Sequence, residues 1–173
     1  MKSVSLVLAA VVALVVTASA PSSTRDSGSA ALLRLPRAAA AGEISQYGHI
    51  RSLAKKGARY ELLFDPAFWL GGVTANRAAA EDGLIAPGEP VPNDYYVRDE
   101  SKKRLTYLVP AGATVTVLDR RIRSFRITVA QLAQVVKGRN PTGRGLYDRT
   151  NGLGYWIVAA SDTVRALDQQ YQP

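Results

Sequence analysis

Apolar residues run almost unbroken from Val4 to Val16, with Ser5 the single interruption. Met1-Lys2 stands before this run, and the small residues Thr17-Ala18-Ser19-Ala20 stand after it. A charged start, an apolar stretch of this length and a small-residue exit read as a secretory signal peptide over 1–20. The stretch is too short to span a bilayer comfortably, and no later segment approaches the ~20 apolar residues a spanning helix needs. Cleavage is expected near Ala18 or Ala20. Pro21 disfavours the second position, because proline has a fixed φ and no N–H. From 21 to 42 the pattern vanishes into Ala, Ser, Gly and Pro with scattered Arg25, Arg34 and Arg37, the composition of a flexible linker. The remainder, 43–173, is the length of one globular domain.

Within that domain the pattern has mostly the short period of strands. Ile44–Leu53 and Arg59–Phe64 flank Lys55-Lys56-Gly57 and predict a hairpin. Asp65-Pro66 has the chemistry of a helix start, with an Asp cap and proline in the first turn, and Gly71-Gly72 interrupts that helix. Thr74 is a second cap candidate, for a helix over Ala75–Asp82 closed by Gly83. The prolines and Gly88 of Leu84–Asn93 demand an irregular loop. Tyr95–Arg98 and Leu105–Val109 read as strands joined by polar Asp99–Lys103. Thr114–Leu118 is the strongest strand, with Val115 and Val117 on one face and Thr114, Thr116 and Leu118 on the other. Thr128 caps a helix over Val129–Lys137 that stops at Gly138. Arg139–Gly154 is loop, and Tyr155–Ala159 with Thr163–Leu167 closes the chain as a hairpin, a helix over 163–171 being the alternative. The fold expected is α+β and mainly antiparallel: a small sheet or partial barrel with two or three short helices.

Charge adds a second layer. Twenty-two basic residues against 14 acidic ones give +8, a balance that favours acidic partners without specifying a fold. Residues 61–100 hold eight acids and two bases, whereas 101–149 hold eleven bases and only Asp119 and Asp148. Either the two segments lie side by side and neutralise each other, or a basic face remains for a polyanion. The candidate polyanion-binding residues are Lys102, Lys103 and Arg104, in a turn before one strand, and Arg120, Arg121, Arg123 and Arg126, after the strongest strand. Folding could bring the two groups together.

Several chemistries are poorly served. There is no cysteine, hence no disulfide and no lipid-anchoring thiol, and the single histidine is His49. It alternates with Tyr47 and Arg51 on a strand face that reads as solvated, so it makes a poor general base. One histidine without cysteine gives too few ligands for zinc. No phosphate-binding glycine loop occurs, since Gly143-Arg144-Gly145 lacks both spacing and helix. Oxygen chemistry stays open. Glu81, Asp82, Asn93, Asp94, Asp99 and Glu100 could gather round calcium, or supply the two carboxyls of a hydrolase, although neither spacing is diagnostic. No catalytic residue, cofactor or metal site is assigned. The aromatics Phe64, Phe68, Trp69, Tyr95, Tyr96, Tyr107, Tyr155 and Trp156 sit in apolar runs and are expected to fill the core, with one of Tyr95 and Tyr96 exposed.

Asp65-Pro66-Ala67-Phe68-Trp69-Leu70-Gly71-Gly72-Val73-Thr74-Ala75, Ala78–Gly83 and Pro92-Asn93-Asp94-Tyr95-Tyr96 resemble an uncharacterised family of exported bacterial proteins. Its W-L-x-G-x-x-A helix start precedes an N-D-Y-Y strand. The ending, Tyr155-Trp156-Ile157, Val164 and Gln170–Pro173, is similar too. The resemblance covers roughly 44–173, implies a small antiparallel β fold and brings no activity with it. The Ala, Arg, Val and Gly bias suits a high-GC organism such as an actinobacterium. The function expected is an exported, non-enzymatic binding or structural domain, secreted or associated with the cell envelope. It would contact an acidic envelope polymer or an anionic lipid surface, without specific nucleic-acid recognition. A carboxylate-dependent hydrolase or a calcium-binding extracellular domain is the alternative.

Overall fold

The computed structural model describes residues 36–100, 102–147 and 154–172. The expected signal peptide and most of the linker lie outside these residues. The order is β1 (Ile44–Lys56), β2 (Arg59–Pro66), β3 (Phe68–Gly71), α1 (Gly72–Glu81), a single 3-10 turn (Pro92–Asp94), β4 (Tyr95–Arg98), β5 (Leu105–Pro110), β6 (Thr114–Leu118), β7 (Ser124–Ile127), α2 (Val129–Val136), β8 (Gly154–Ala160) and β9 (Thr163–Gln169). The α+β, largely antiparallel architecture is as the period-2 pattern implied.

Seven strands lie in the order β5-β2-β1-β8-β9-β6-β7, and β5 also bridges to β9. That bridge, Leu108 opposite Thr163 in parallel, turns β1, β2, β5, β9 and β8 into a partial barrel. The ring runs first-second-third-fifth-fourth, its third and fifth strands are parallel, and α2 lies in the connection between third and fourth. Such a ring carries no activity by itself.

The barrel closes because β1 serves two partners. Ile44–His49 pairs with β8, Gly48–Lys56 pairs with β2, and a register shift between Ile50 and Ser52 bends the strand between them. Gly48 sits where these pairings overlap; a Cβ there would lie 2.3 Å from the Asp65 carbonyl oxygen and 2.7 Å from the Phe64 ring. Leu53, Leu62, Phe64, Val109, Tyr155, Ile157 and Leu167 fill the interior, and Val129, Leu132 and Val135 of α2 pack into the same core. Thr128 accepts from the Gln131 N–H while the Gln131 side chain accepts from the Thr128 N–H, the reciprocal cap that the sequence pattern suggested.

Three expectations about the elements are corrected. Asp65-Pro66 does not open a helix; it ends β2, with Pro66 opposite Gly48 and the Ala67 N–H donating to the Tyr47 carbonyl. Phe68–Gly71 then runs as β3 against β4, so this stretch is extended throughout. Asp-Pro suits a helix start and a strand end alike, and tertiary pairing decides between them. The next helix starts at Gly72 with no side-chain cap, so Thr74 lies inside it. Finally, Ser124–Ile127 is a strand the pattern did not mark, paired with β6. Both faces of β6 are covered, because Val115, Thr116, Val117 and Leu118 are all buried.

Between β2 and β5, β3, α1 and β4 form a small appended layer with its own core of Ala75, Ala79 and Val91. Trp69 fastens it to the barrel. Its ring stacks on Tyr95 with centroids 4.3 Å apart and meets the edge of Tyr47 at 5.1 Å. Tyr47 is buried beneath Trp69 and Trp156, so the β1 face read as solvated is instead a covered seam, with His49 half-buried beside it. Phe64, Tyr107 and Tyr155 are core, as expected, whereas Phe68 is 63% exposed. Arg37, expected in the linker, pairs with buried Asp168 at 3.1 Å, and Arg165 reaches both Glu43 and the Ala38 carbonyl.

Candidate anion-binding site

β6 leaves the sheet at Leu118 and returns as β7 at Ser124, with Asp119-Arg120-Arg121-Ile122-Arg123 as the turn. Asp119 is buried and organises it. One carboxylate oxygen accepts from the N–H groups of Arg121 (2.8 Å) and Arg123 (3.0 Å); the other accepts from the Arg123 guanidinium (2.9 Å). The Asp119 N–H donates to the Arg123 carbonyl and the Ile122 N–H to the Asp119 carbonyl. The Arg123 N–H, then burial working against it, then the Arg123 side chain and Arg121 N–H leave the carboxyl below the usual carboxylate range. Ile122 adopts φ +62°, a left-handed conformation in which a β-branched side chain is an outlier. A glycine or asparagine ordinarily stands at such a position. The turn is therefore held by its hydrogen bonds against local strain.

A second segment closes on this turn. Asp119 bridges Leu146, the Arg120 N–H donates to the Gly145 carbonyl, and the Tyr147 N–H donates to the Leu118 carbonyl. Gly145 lets the Arg120 stem pass closely: a Cβ there would lie 2.9 Å from Arg120 Cδ. Asn140 shapes the approach, donating to the Arg144 carbonyl (2.6 Å) and accepting from the Thr142 N–H (3.1 Å). Arg144 extends over the Phe125 ring at 4.8 Å. The result is an open concavity of about 750 Å³ lined by Arg120, Arg121, Arg123 and Arg144, with Asp119, Ser124 and Gly145. Arg126 is exposed on adjacent β7.

Lys102, Lys103 and Arg104 are elsewhere. β5 and β6 both run parallel to β9, β5 meeting its start at Thr163 and β6 its end at Ala166–Asp168. Lys102–Arg104 precede β5 and Arg120–Arg123 follow β6, so the two groups stand at opposite ends of this edge. The structure gathers Arg120, Arg121 and Arg123 with Arg144, not with the lysines. Nothing in the local sequence marks Arg144; only the Asp119–Leu146 bridge delivers it.

The acidic segment has its own partners. Arg98 holds Asp82 (2.6 Å), Glu100 (2.6 Å) and Glu81 (3.2 Å), and Arg77 holds Glu81 at 3.0 Å. Arg51 takes buried Asp65 at 2.6 Å and Asp99 at 3.8 Å, and Lys56 takes Glu61. Three of the carboxylates considered for calcium or hydrolysis do assemble, but around a guanidinium. Hydrogen bonds from Arg77 and Arg98 hold Glu81 below its ordinary range, and those from Arg98 and Tyr96 do the same for Asp82. A glycosidase acid needs the opposite shift. No group of three or more His, Cys, Asp or Glu fit for a metal occurs among the described residues.

The outer face of β2 and β5 shows Arg59, Glu61, Leu63 and Thr106, with no aromatic platform among the described residues. No protein-family model, curated protein or solved structure matches the chain. Among the described residues no helix is long and apolar enough to cross a membrane.

Proposed function

We propose that this chain is an exported, non-catalytic binding domain whose β6–β7 turn holds an anionic ligand. One observation carries the reading. The guanidinium groups of Arg120, Arg121 and Arg144 line one concavity without an acidic partner among the described residues, while the acid in its lining, Asp119, is buried and committed to the turn. Arginine forks present several donors in a fixed plane and suit oxyanions. Export rests on the apolar run Val4–Val16 and the small residues after it.

The test is retention on a sulfated polysaccharide matrix. The wild type is held at low ionic strength and released by salt, because exposed charges are screened within about 10 Å at 0.1 M. Arg120→Glu/Arg121→Glu/Arg123→Glu is held less. Equal retention of the two proteins refutes the reading. The hydrolase alternative requires glycoside or ester turnover that Glu81→Gln and Asp94→Asn both abolish.

A further inference from the structure

The geometry points to phosphodiester groups of a soluble polymer as the anions taken by the Arg120–Arg121–Arg144 concavity. This identification rests on the anion-binding reading above and narrows it.

The lining recognises charge and little else. Apart from its arginines it offers the Ser124 hydroxyl, Gly145 and the committed Asp119. A uronate or amino-acid polymer carries its carboxylate on a bulky repeat, and tight recognition of that repeat calls for several amide, hydroxyl or stacking partners, of which this lining offers one, the Ser124 hydroxyl. A phosphodiester chain needs none of them. Each group carries its charge on two non-bridging oxygens in the backbone itself, with no bulky repeat between charge and chain, and an arginine fork can take both oxygens at once. The three guanidiniums arise from two segments, Arg120 and Arg121 from the turn and Arg144 from the loop pinned to it, and so address successive groups of one chain.

The surroundings separate the sources of phosphate. Phe125 carries Arg144 on its ring, so that face is not open to an unstacked base. The large apolar side chains that stand exposed, Ile44, Phe68, Val73 and Leu84, belong to β1, β3, α1 and the loop after it. Among the described residues none of these flanks the arginines, so none supplies a wedge to enter a lipid interface there. An open concavity of about 750 Å³ matches a polymer passing through rather than an enclosed metabolite.

Binding of the full-length protein to poly(glycerol phosphate), poly-glutamate of equal length and charge, inorganic phosphate and phosphatidylglycerol vesicles tests the assignment. Poly(glycerol phosphate) binds about tenfold tighter than poly-glutamate, because its repeat asks for no partner beyond the charge-assisted forks. Its log–log salt dependence has a slope of about 2–3, for three phosphates neutralised. Arg120→Gln/Arg121→Gln/Arg144→Gln spares the Arg123–Asp119 pair and weakens binding about tenfold or more, one decade per ~1.4 kcal/mol. Lys102→Gln/Lys103→Gln/Arg104→Gln removes the same charge at the other end of the β5–β6 edge and leaves affinity nearly unchanged. Equal affinity for the two polymers overturns the phosphate assignment while anion binding stands. Binding to vesicles or inorganic phosphate in preference to the polymer overturns the polymer. Equal losses in the two triple variants overturn the site. No binding to either polymer removes the underlying anion-binding reading as well.

Discussion

Two buried tyrosines differ in one respect that stability measurements can read. Tyr155 is wholly buried in the barrel core, and its hydroxyl finds no hydrogen-bond partner among the described residues. Tyr47 is equally enclosed, but its hydroxyl accepts from Gln172 Nε2 at 2.6 Å. Burial pushes both phenols far above their ordinary ionisation range, so neither charges under ordinary conditions. A buried hydroxyl without a partner costs about 1–3 kcal/mol of desolvation. Tyr155→Phe removes that cost and leaves a hydroxyl-sized void worth about 0.5 kcal/mol, at roughly 24 cal/mol per Å³. The net expectation is a gain of about 1 kcal/mol, or roughly 3–4 °C in midpoint for a domain of this size. Tyr47→Phe loses a bond and strands the Gln172 amide, a loss of about 1 kcal/mol. Urea unfolding followed by the fluorescence of Trp69 and Trp156 measures both variants, and an unchanged slope shows that only stability has moved. Destabilisation by Tyr155→Phe would refute the argument, because it would mean that the hydroxyl is satisfied, by water or by a rotated neighbour.

Other expectations rest on the same kinds of contact. Gly48→Ala drives a Cβ to within 2.3 Å of backbone at the β1 bend and should destabilise by about 3 kcal/mol or prevent folding, seen as loss of a cooperative melt. Asp119→Ala makes the arginine site more positive, yet binding of poly(glycerol phosphate) should weaken because the turn loses its organiser; tighter binding with unchanged melting would show that charge alone matters. Ile122→Gly relieves about 1–2 kcal/mol of left-handed strain against about 0.5–1 kcal/mol of added chain entropy, so thermal stability should hold or rise slightly. Burial, then the Arg51 charge, lowers the His49 pKa. The unfolded chain therefore takes up the proton first, and stability begins to fall as pH drops below about 6.5. Glu43, Glu81, Asp82 and Asp119, all lowered by hydrogen bonds, add a second fall below about pH 4. His49→Gln should abolish the first stage alone in pH-dependent urea titrations.

The strands were legible wherever pairing is local. The hairpins β1–β2 and β8–β9, and α2 with its Thr128 cap, come directly from period, turn residues and cap spacing. β3 was not legible, because its partner β4 lies beyond α1 and a long loop, and Phe68-Trp69-Leu70 alone has no period. β7 alternates polar and apolar as Ser124-Phe125-Arg126-Ile127, but at four residues the alternation is too short to announce a strand. Its strand character comes from pairing with β6. At the site, the cluster Arg120-Arg121-x-Arg123 is visible in one dimension. Arg144 is not, because a single isolated bridge between Asp119 and Leu146 brings it there. The joint role expected of Lys102–Arg104 assumed that a short chain segment folds back, whereas β5 and β6 continue along one partner, β9.

The way Arg98 gathers Glu81, Asp82 and Glu100 has a consequence for how the molecule meets a partner. One guanidinium against three carboxylates leaves this layer net negative, with six acids to two bases over 68–100, so the protein is polarised: the layer repels a polyanion that the arginine turn attracts. A diffusing polyanion would be turned toward that end before contact, and its capture rate should fall with ionic strength more steeply than its residence time does. Arg98 touches no part of the concavity. By holding three of the acids together, it keeps the repelling charge on the appended layer and so bears on which side of the barrel arrives first.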